Sequence, residues 1–140
     1  MIMCKASIAA RFTRRPVLLR ATEIRTRSYG AYEVHAASAP VAEDVAPPTV
    51  YASKAAYERA GVGPEDVDVI QLQDTDAGAE VIHMAEKTGS APTVNRKKLI
   101  ADGATEIAGT MPINTDGGLI ANGEPIGASG CVRCMSSCCN

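Results

Sequence analysis

The chain has 140 residues, room for one domain or one repeat of a larger one, with 46% hydrophobic and 21% charged residues; that is the balance of a globular protein and too apolar for a disordered one. Aromatics are only 4%, with one Phe and no Trp, so a core has to be built from Ala, Val, Ile and Leu, and no apolar run reaches the length of a membrane span. The net charge of −2 hides an asymmetry: residues 1–35 hold seven Lys and Arg against two acids, Glu23 and Glu33, whereas residues 36–130 hold six against fourteen. An Arg-rich start is compatible with a transit peptide or a nucleic-acid arm. However, the apolar run beginning at Pro16 and the loose alternation of Arg20, Arg25 and Arg27 favour a half-exposed strand. No secretory signal is visible, which makes the cytoplasm the expected compartment.

In chain order, Pro16 to Thr26 predicts a strand, from a Val-Leu-Leu run followed by β-branched positions. Residues 36–48 are small and rich in Ala and Pro and predict a loop. A helix follows with Pro48 near its first turn, Val50, Ala55, Tyr57 and Ala60 inward, and a stop at Gly61, where Gly63-Pro64 reinforces the break. Val67-Asp-Val-Ile-Gln-Leu-Gln73 alternates like a strand with one face buried. Asp74, Thr75 or Asp76 can cap the next helix, whose apolar stripe is Ala79, Ile82, His83 and Ala85. From Lys87 to Lys98 no period is visible; a short helix over Lys98–Asp102 then ends at Gly103. Pro112 opens a stretch holding Gly117, Gly118, Gly123, Gly127 and Gly130. Strand, helix, strand, helix and a Gly-rich strand–loop make an α/β arrangement with too few strands for a complete sheet.

The most informative stretch is Asn114-Thr-Asp-Gly-Gly-Leu-Ile-Ala-Asn-Gly-Glu-Pro-Ile-Gly-Ala-Ser-Gly130. Its glycine density brings backbone close to a ligand or another segment, and Ile126-Gly-Ala-Ser-Gly130 suits a loop entering a buried helix start whose N–H groups face an anion. A tight hairpin without a ligand accounts for the spacing equally well. The stretch resembles the C-terminal signature of thiolases, and more closely that of the thiolase-like lipid-transfer and sterol-carrier-protein branch. Two other segments share the resemblance: Ala55-Ala-Tyr-Glu-Arg-Ala-Gly-Val-Gly-Pro-Glu-Asp-Val-Asp-Val69, and Gln71-Leu-Gln-Asp-Thr-Asp-Ala-Gly-Ala-Glu-Val-Ile-His-Met-Ala-Glu86. The similarity runs over residues 4–130.

The resemblance implies the C-terminal half of a layered αβαβα fold, with an incomplete sheet, acting on acyl-CoA or sterol-CoA thioesters. It also implies a homodimer or a partner subunit, and no cofactor beyond the acyl-CoA bound as substrate or ligand. It places Glu124 where thiolases carry the histidine of a Gly-His-Pro triplet, and Gln73, with Asp74 beside it, where they carry an Asn or His that holds an oxyanion-hole water. Gly123, Gly127, Ala128 and Ser129 fall on the acyl-CoA loop. A carboxylate at 124 can act as a base, but when ionised it cannot donate to an oxyanion. The nucleophilic cysteine of the family's first half and the Cys-Gly-x-Gly loop near its C-terminus have no counterpart in this sequence. The chain alone is therefore expected to be inactive as a condensing thiolase, and retro-aldol cleavage of steroid side-chain CoA esters suits the Glu at least as well. A binding partner without chemistry and a nonfunctional gene remnant are the other readings.

Cys131, Cys134, Cys138 and Cys139 crowd residues 131–140. The spacing invites zinc or iron–sulfur, yet the adjacent Cys138 and Cys139 do not easily serve one site, and no metal is expected. Restoring one cytidine after the Gly130 codon regroups a permissible coding sequence into Leu-Arg-Gln-Val-His-Glu-Leu-Val-Leu-Gln, an amphipathic run. The tail is accordingly expected to be a frameshift product. Ala91–Lys97 regroups similarly into a polar run, with the frame restored by Leu99. Arg96-Lys97-Lys98, otherwise a candidate for a coenzyme A phosphate, belongs to that segment. Elsewhere the plain readings prevail: His83 packs on a helix, Met84 is core, Asp116 fixes the Gly-rich turn, Glu43-Asp44 is a solvated pair, and His35 has a surface or dimer role. No nucleic acid is expected as a partner.

Overall fold

The computed structural model describes residues 3–26, 47–87 and 96–130. The loop expected before the first helix lies almost wholly outside them, as do His35, Glu43-Asp44, the segment 88–95 and the Cys-rich tail 131–140. Among these residues the α-helices are α1 (Pro48–Ala60), α2 (Ala77–Lys87), α3 (Arg96–Ala101) and α4 (Gly118–Asn122). Short 3-10 turns occupy Ala6–Arg11 and Pro64–Asp66.

Helix α1 forms where its sequence predicts. Pro48 takes the first helical position, which needs no N–H donor, and Gly61 ends the helix at φ 68°. The Gly61 N–H donates to the Tyr57 carbonyl at 2.9 Å, consuming a carbonyl that the helix would otherwise leave open. Val50, Ala55, Tyr57 and Ala60 are half-buried, and α1 packs against α2. Desolvation, followed by the nearby Glu65 charge, raises the Tyr57 phenol pKa above its ordinary value. Asp76 caps α2, its Oδ1 accepting the Ala79 N–H at 2.7 Å. Met84 is 3% exposed and faces the core, but Ile82, expected on the inner stripe, is 48% exposed. The helix is rotated so that its Met84 side reaches the core. Helix α3 begins two residues before the expected Lys98 and leads into Gly103 at φ 68°.

The sheet expectation needs correction. Among the described residues there is no strand, only one parallel bridge between Ile70 and Ile113. Residues 16–26 form no regular secondary structure and no ladder with any described segment; Val17, Leu18 and Leu19 are at least 62% exposed. Val67–Gln73 keeps its strand-like alternation, with Ile70 and Leu72 buried every second residue, while the pairing is confined to Ile70. The core sits on that bridge. Ile70, Leu72, Met84 and Ile113 are buried together, and Val67, Leu99 and Met111 pack around them. Leu72 is fully buried. The small core and the bridge fix one end of the 70–74 segment against the Gly-rich stretch.

Candidate functional site

At the bridge, the Ile70 N–H donates to the Pro112 carbonyl at 3.0 Å, and the Asn114 N–H donates to the Ile70 carbonyl at 2.9 Å. The chain then turns sharply. Asn114 has φ 48°, a left-handed conformation that Asn adopts more readily than other side-chain-bearing residues. Its Oδ1 accepts the Leu72 N–H at 2.8 Å and its Nδ2 donates to Glu80 Oε1 of α2 at 2.9 Å. Asp116 fixes the ensuing turn: its Oδ1 accepts the Gly118 N–H at 3.1 Å and the Gln71 amide at 3.2 Å, and its Oδ2 accepts the Asn122 amide at 3.0 Å. This is the role the sequence assigns it.

Asp74 and Gln73, consecutive in the chain, reach opposite ends of α4. Asp74 is 3% exposed, and its Oδ1 accepts the Leu119 N–H at 2.8 Å, inside the first turn of α4. Gly118, at φ 63°, lies so close that a β-carbon there would collide with the Asp74 carboxylate. The buried acid and the glycine therefore require one another. Gln73 donates through Nε2 to Glu124 Oε1 at 2.8 Å, just past the C-terminal Gly123 of α4. The second Glu124 oxygen has no protein partner among the described residues, and the side chain is exposed. The structure thus joins two residues 51 positions apart in one exposed hydrogen-bonded pair, while Asp74 beside them points into the protein. Such a pair presents a fixed amide and a carboxylate with one oxygen available to an incoming group.

Downstream, Gly123 and Gly127 have φ 82° and 81°, and the loop they frame is exposed, with Ile126 fully so. A buried helix start is not what forms: helical turns resume at Ser129, and Ser129 is only half-covered. The Ala128 N–H donates to the Pro125 carbonyl at 2.9 Å and the Ser129 hydroxyl donates to the same oxygen at 3.3 Å. Those two donors close a local turn on the Pro125 carbonyl. His83 is half-buried on α2, as a packing histidine would be. Asn114 and Glu80 were not singled out by the sequence as site-forming; an Asn directly before Thr-Asp-Gly-Gly was the available signal, since this is where a left-handed residue must start the turn.

The bridge, the Asn114 turn and the Asp74-anchored helix pin the Gly-rich segment against residues 70–74. A family model described as thiolase C-terminal domain-like matches residues 31–138, and the chain belongs to that family. It is 38% identical over 87 residues to sterol carrier protein 2 of Bos taurus, covering 62% of this chain and 16% of that protein. Acetyl-CoA acetyltransferase of Methanothermobacter thermautotrophicus is 30% identical over 129 residues, 92% of this chain and 32% of the relative. The benzoylsuccinyl-CoA thiolase subunit BbsB of Thauera aromatica is 36% identical over 81 residues, 58% of this chain and 21% of the relative. The chain thus spans between 16% and 32% of these relatives' lengths. The family is consistent with an α/β class. Among the described residues no helix is long and apolar enough to cross a membrane.

Proposed function

We propose that the chain supplies the C-terminal part of a thiolase-like lipid-transfer or acyltransferase-type protein, binds acyl-CoA or sterol-CoA thioesters, and by itself does not catalyse. The observation that supports this reading is the Gln73–Glu124 hydrogen bond at 2.8 Å, between two residues that the resemblance assigns to the family's reactive motifs. The Gln73 amide can orient the carboxylate or, when displaced, meet a thioester carbonyl. Glu124 replaces a histidine that in thiolases serves a cysteine thiol. Among the described residues the only cysteine is the exposed Cys4.

A second reading, retro-aldol cleavage of a β-hydroxyacyl thioester such as a steroid side-chain CoA ester, is favoured by the Glu124 oxygen that has no partner among the described residues. In that step Glu124 takes the β-hydroxyl proton, the Cα–Cβ bond breaks, and a carbonyl compound leaves. The electron pair passes into the thioester enolate, which then takes a proton at Cα. The balance needs no oxidant and no acyl-enzyme, and so no cysteine nucleophile.

Calorimetric titration of the chain with palmitoyl-CoA, a sterol side-chain CoA thioester and free CoA tests the proposal. Saturable binding of the thioesters, weakened about tenfold by Glu124→Ala as expected for one lost polar contact, supports it. The absence of binding, or binding indifferent to residue 124, overturns it. Incubation with a β-hydroxyacyl-CoA separates the two readings: release of a free carbonyl compound that Glu124→Gln abolishes favours retro-aldol cleavage, and unchanged thioester favours binding alone.

A further inference from the structure

We infer that Asn114 is a positioning residue whose side chain sets where Gln73 and Glu124 meet, an inference that rests on the site proposed above. The ladder begun at the bridge, with Ile70 bonded to Pro112 and Asn114 bonded back to Ile70, would continue with the Leu72 N–H donating to the Asn114 backbone carbonyl. That bond is not the one made. At φ 48° the Asn114 carbonyl swings away and accepts the Gly117 N–H at 2.9 Å, opening the turn into α4. The side-chain Oδ1 takes the vacated place and accepts the Leu72 N–H at 2.8 Å. One residue therefore continues the pairing on one side while it ends it on the other.

The other half of the amide completes the device. Nδ2 donates to Glu80 Oε1 at 2.9 Å, tying the turn to α2. Leu72 is fully buried and directly precedes Gln73. The Gln73 side chain is thus held by its backbone neighbour's bond to Asn114, and Glu124 is held at the far end of the α4 segment that leaves the same turn. Asn114 touches the 70–72 segment, α2 and the turn, but neither member of the pair, so its action on them is indirect. The requirement is narrow: an acceptor one bond from Cβ, a donor facing Glu80, and tolerance of positive φ.

Asn114→Asp keeps the acceptor and the turn but sets a second carboxylate against Glu80. Combining it with Glu80→Gln reverses the donor and acceptor and restores the bond. The readouts are the Gln73 side-chain amide signal in a ¹⁵N-labelled chain and the exchange rate of the Leu72 amide. At neutral pH, Asn114→Asp is expected to move the Gln73 signal toward its position in Glu124→Ala and to speed Leu72 exchange roughly tenfold, the equivalent of one weakened hydrogen bond. The Asn114→Asp, Glu80→Gln pair restores them at neutral pH. An unmoved Gln73 signal in the single variant, or failure of the reversed pair to restore it in a chain that stays folded by circular dichroism, overturns the inference. Both readouts are taken without thioester, so a chain that binds no thioester leaves this result standing, and failure here leaves the thioester titration to be judged separately.

Discussion

Residues 3–26 and the pair of segments Ile70–Asp74 and Asn114–Glu124 put their polar and apolar side chains to opposite use. In the first, Val17, Leu18, Leu19 and Ile24 are 62% exposed or more. A described tie to the rest of the chain is Glu23, which accepts from Arg25 at 2.6 Å and from Arg59 of α1 at 2.8 Å. In the second, Gln71, Leu72, Gln73 and Asp74 each bond to a residue at least 42 positions away. Strand-forming residues need a neighbouring edge to complete their backbone bonds, and none stands beside this segment among the described residues. A turn built from Asn, Asp and Gly carries its own acceptors and positive-φ positions and orders itself against one short segment. The candidate site lies in the self-sufficient region.

Substitutions in the two regions should therefore differ sharply. Gly118→Ala is expected to cost the most, about 3 kcal/mol in urea denaturation, because it adds a side chain at positive φ and drives it into the buried Asp74 carboxylate. Asp74→Ala comes next, at about 2 kcal/mol, for it leaves the buried Leu119 N–H without an acceptor. Asp74→Asn, which keeps an acceptor oxygen, should cost distinctly less, and equal losses would mean that the hydrogen bond is not what Asp74 contributes. The Glu23 tie is smaller. Hydrogen bonds from Arg59 and then Arg25 hold the Glu23 carboxyl pKa below its ordinary value. A carboxyl whose folded pKa is depressed contributes stability that is complete above its unfolded pKa and is lost as pH falls through the folded one. As the pH falls below about 4.5 the wild-type chain should accordingly lose slightly more stability than Glu23→Gln, and parallel pH profiles would remove the tie from the account. Leu18→Ala, at a 62% exposed position, should change stability by less than about 0.5 kcal/mol. A large loss there would show that the first segment is packed after all.

The same contrast explains what was legible in the sequence. Pro48 and Gly61 bracket α1 because both act through backbone geometry alone. Asp76 was among three residues able to cap α2, and its oxygen reaches Ala79. The resemblance singles out Gln73 and Glu124 as candidate site residues, but pattern cannot show that two side chains 51 residues apart touch. Asp74, a capping candidate in the sequence, instead falls on the buried side with Ile70 and Leu72 and accepts from Leu119, while Gln73 lies on the other side. The strand expected over Pro16–Thr26 was drawn from β-branched composition, which marks suitability for a sheet and does not provide the adjacent edge. Ile82 was placed on the inner stripe by periodicity, whereas the face of α2 actually buried is set by the core residues Ile70, Leu72 and Ile113 around Met84.

The most direct test of the central claim is titration of the ¹⁵N-labelled chain with palmitoyl-CoA while the Gln73 side-chain amide is followed, with free CoA as the control. The account predicts a saturable shift of that signal with the thioester, reduced in Glu124→Ala. Saturation of other signals with Gln73 unmoved, or no saturable response to the thioester, would contradict it.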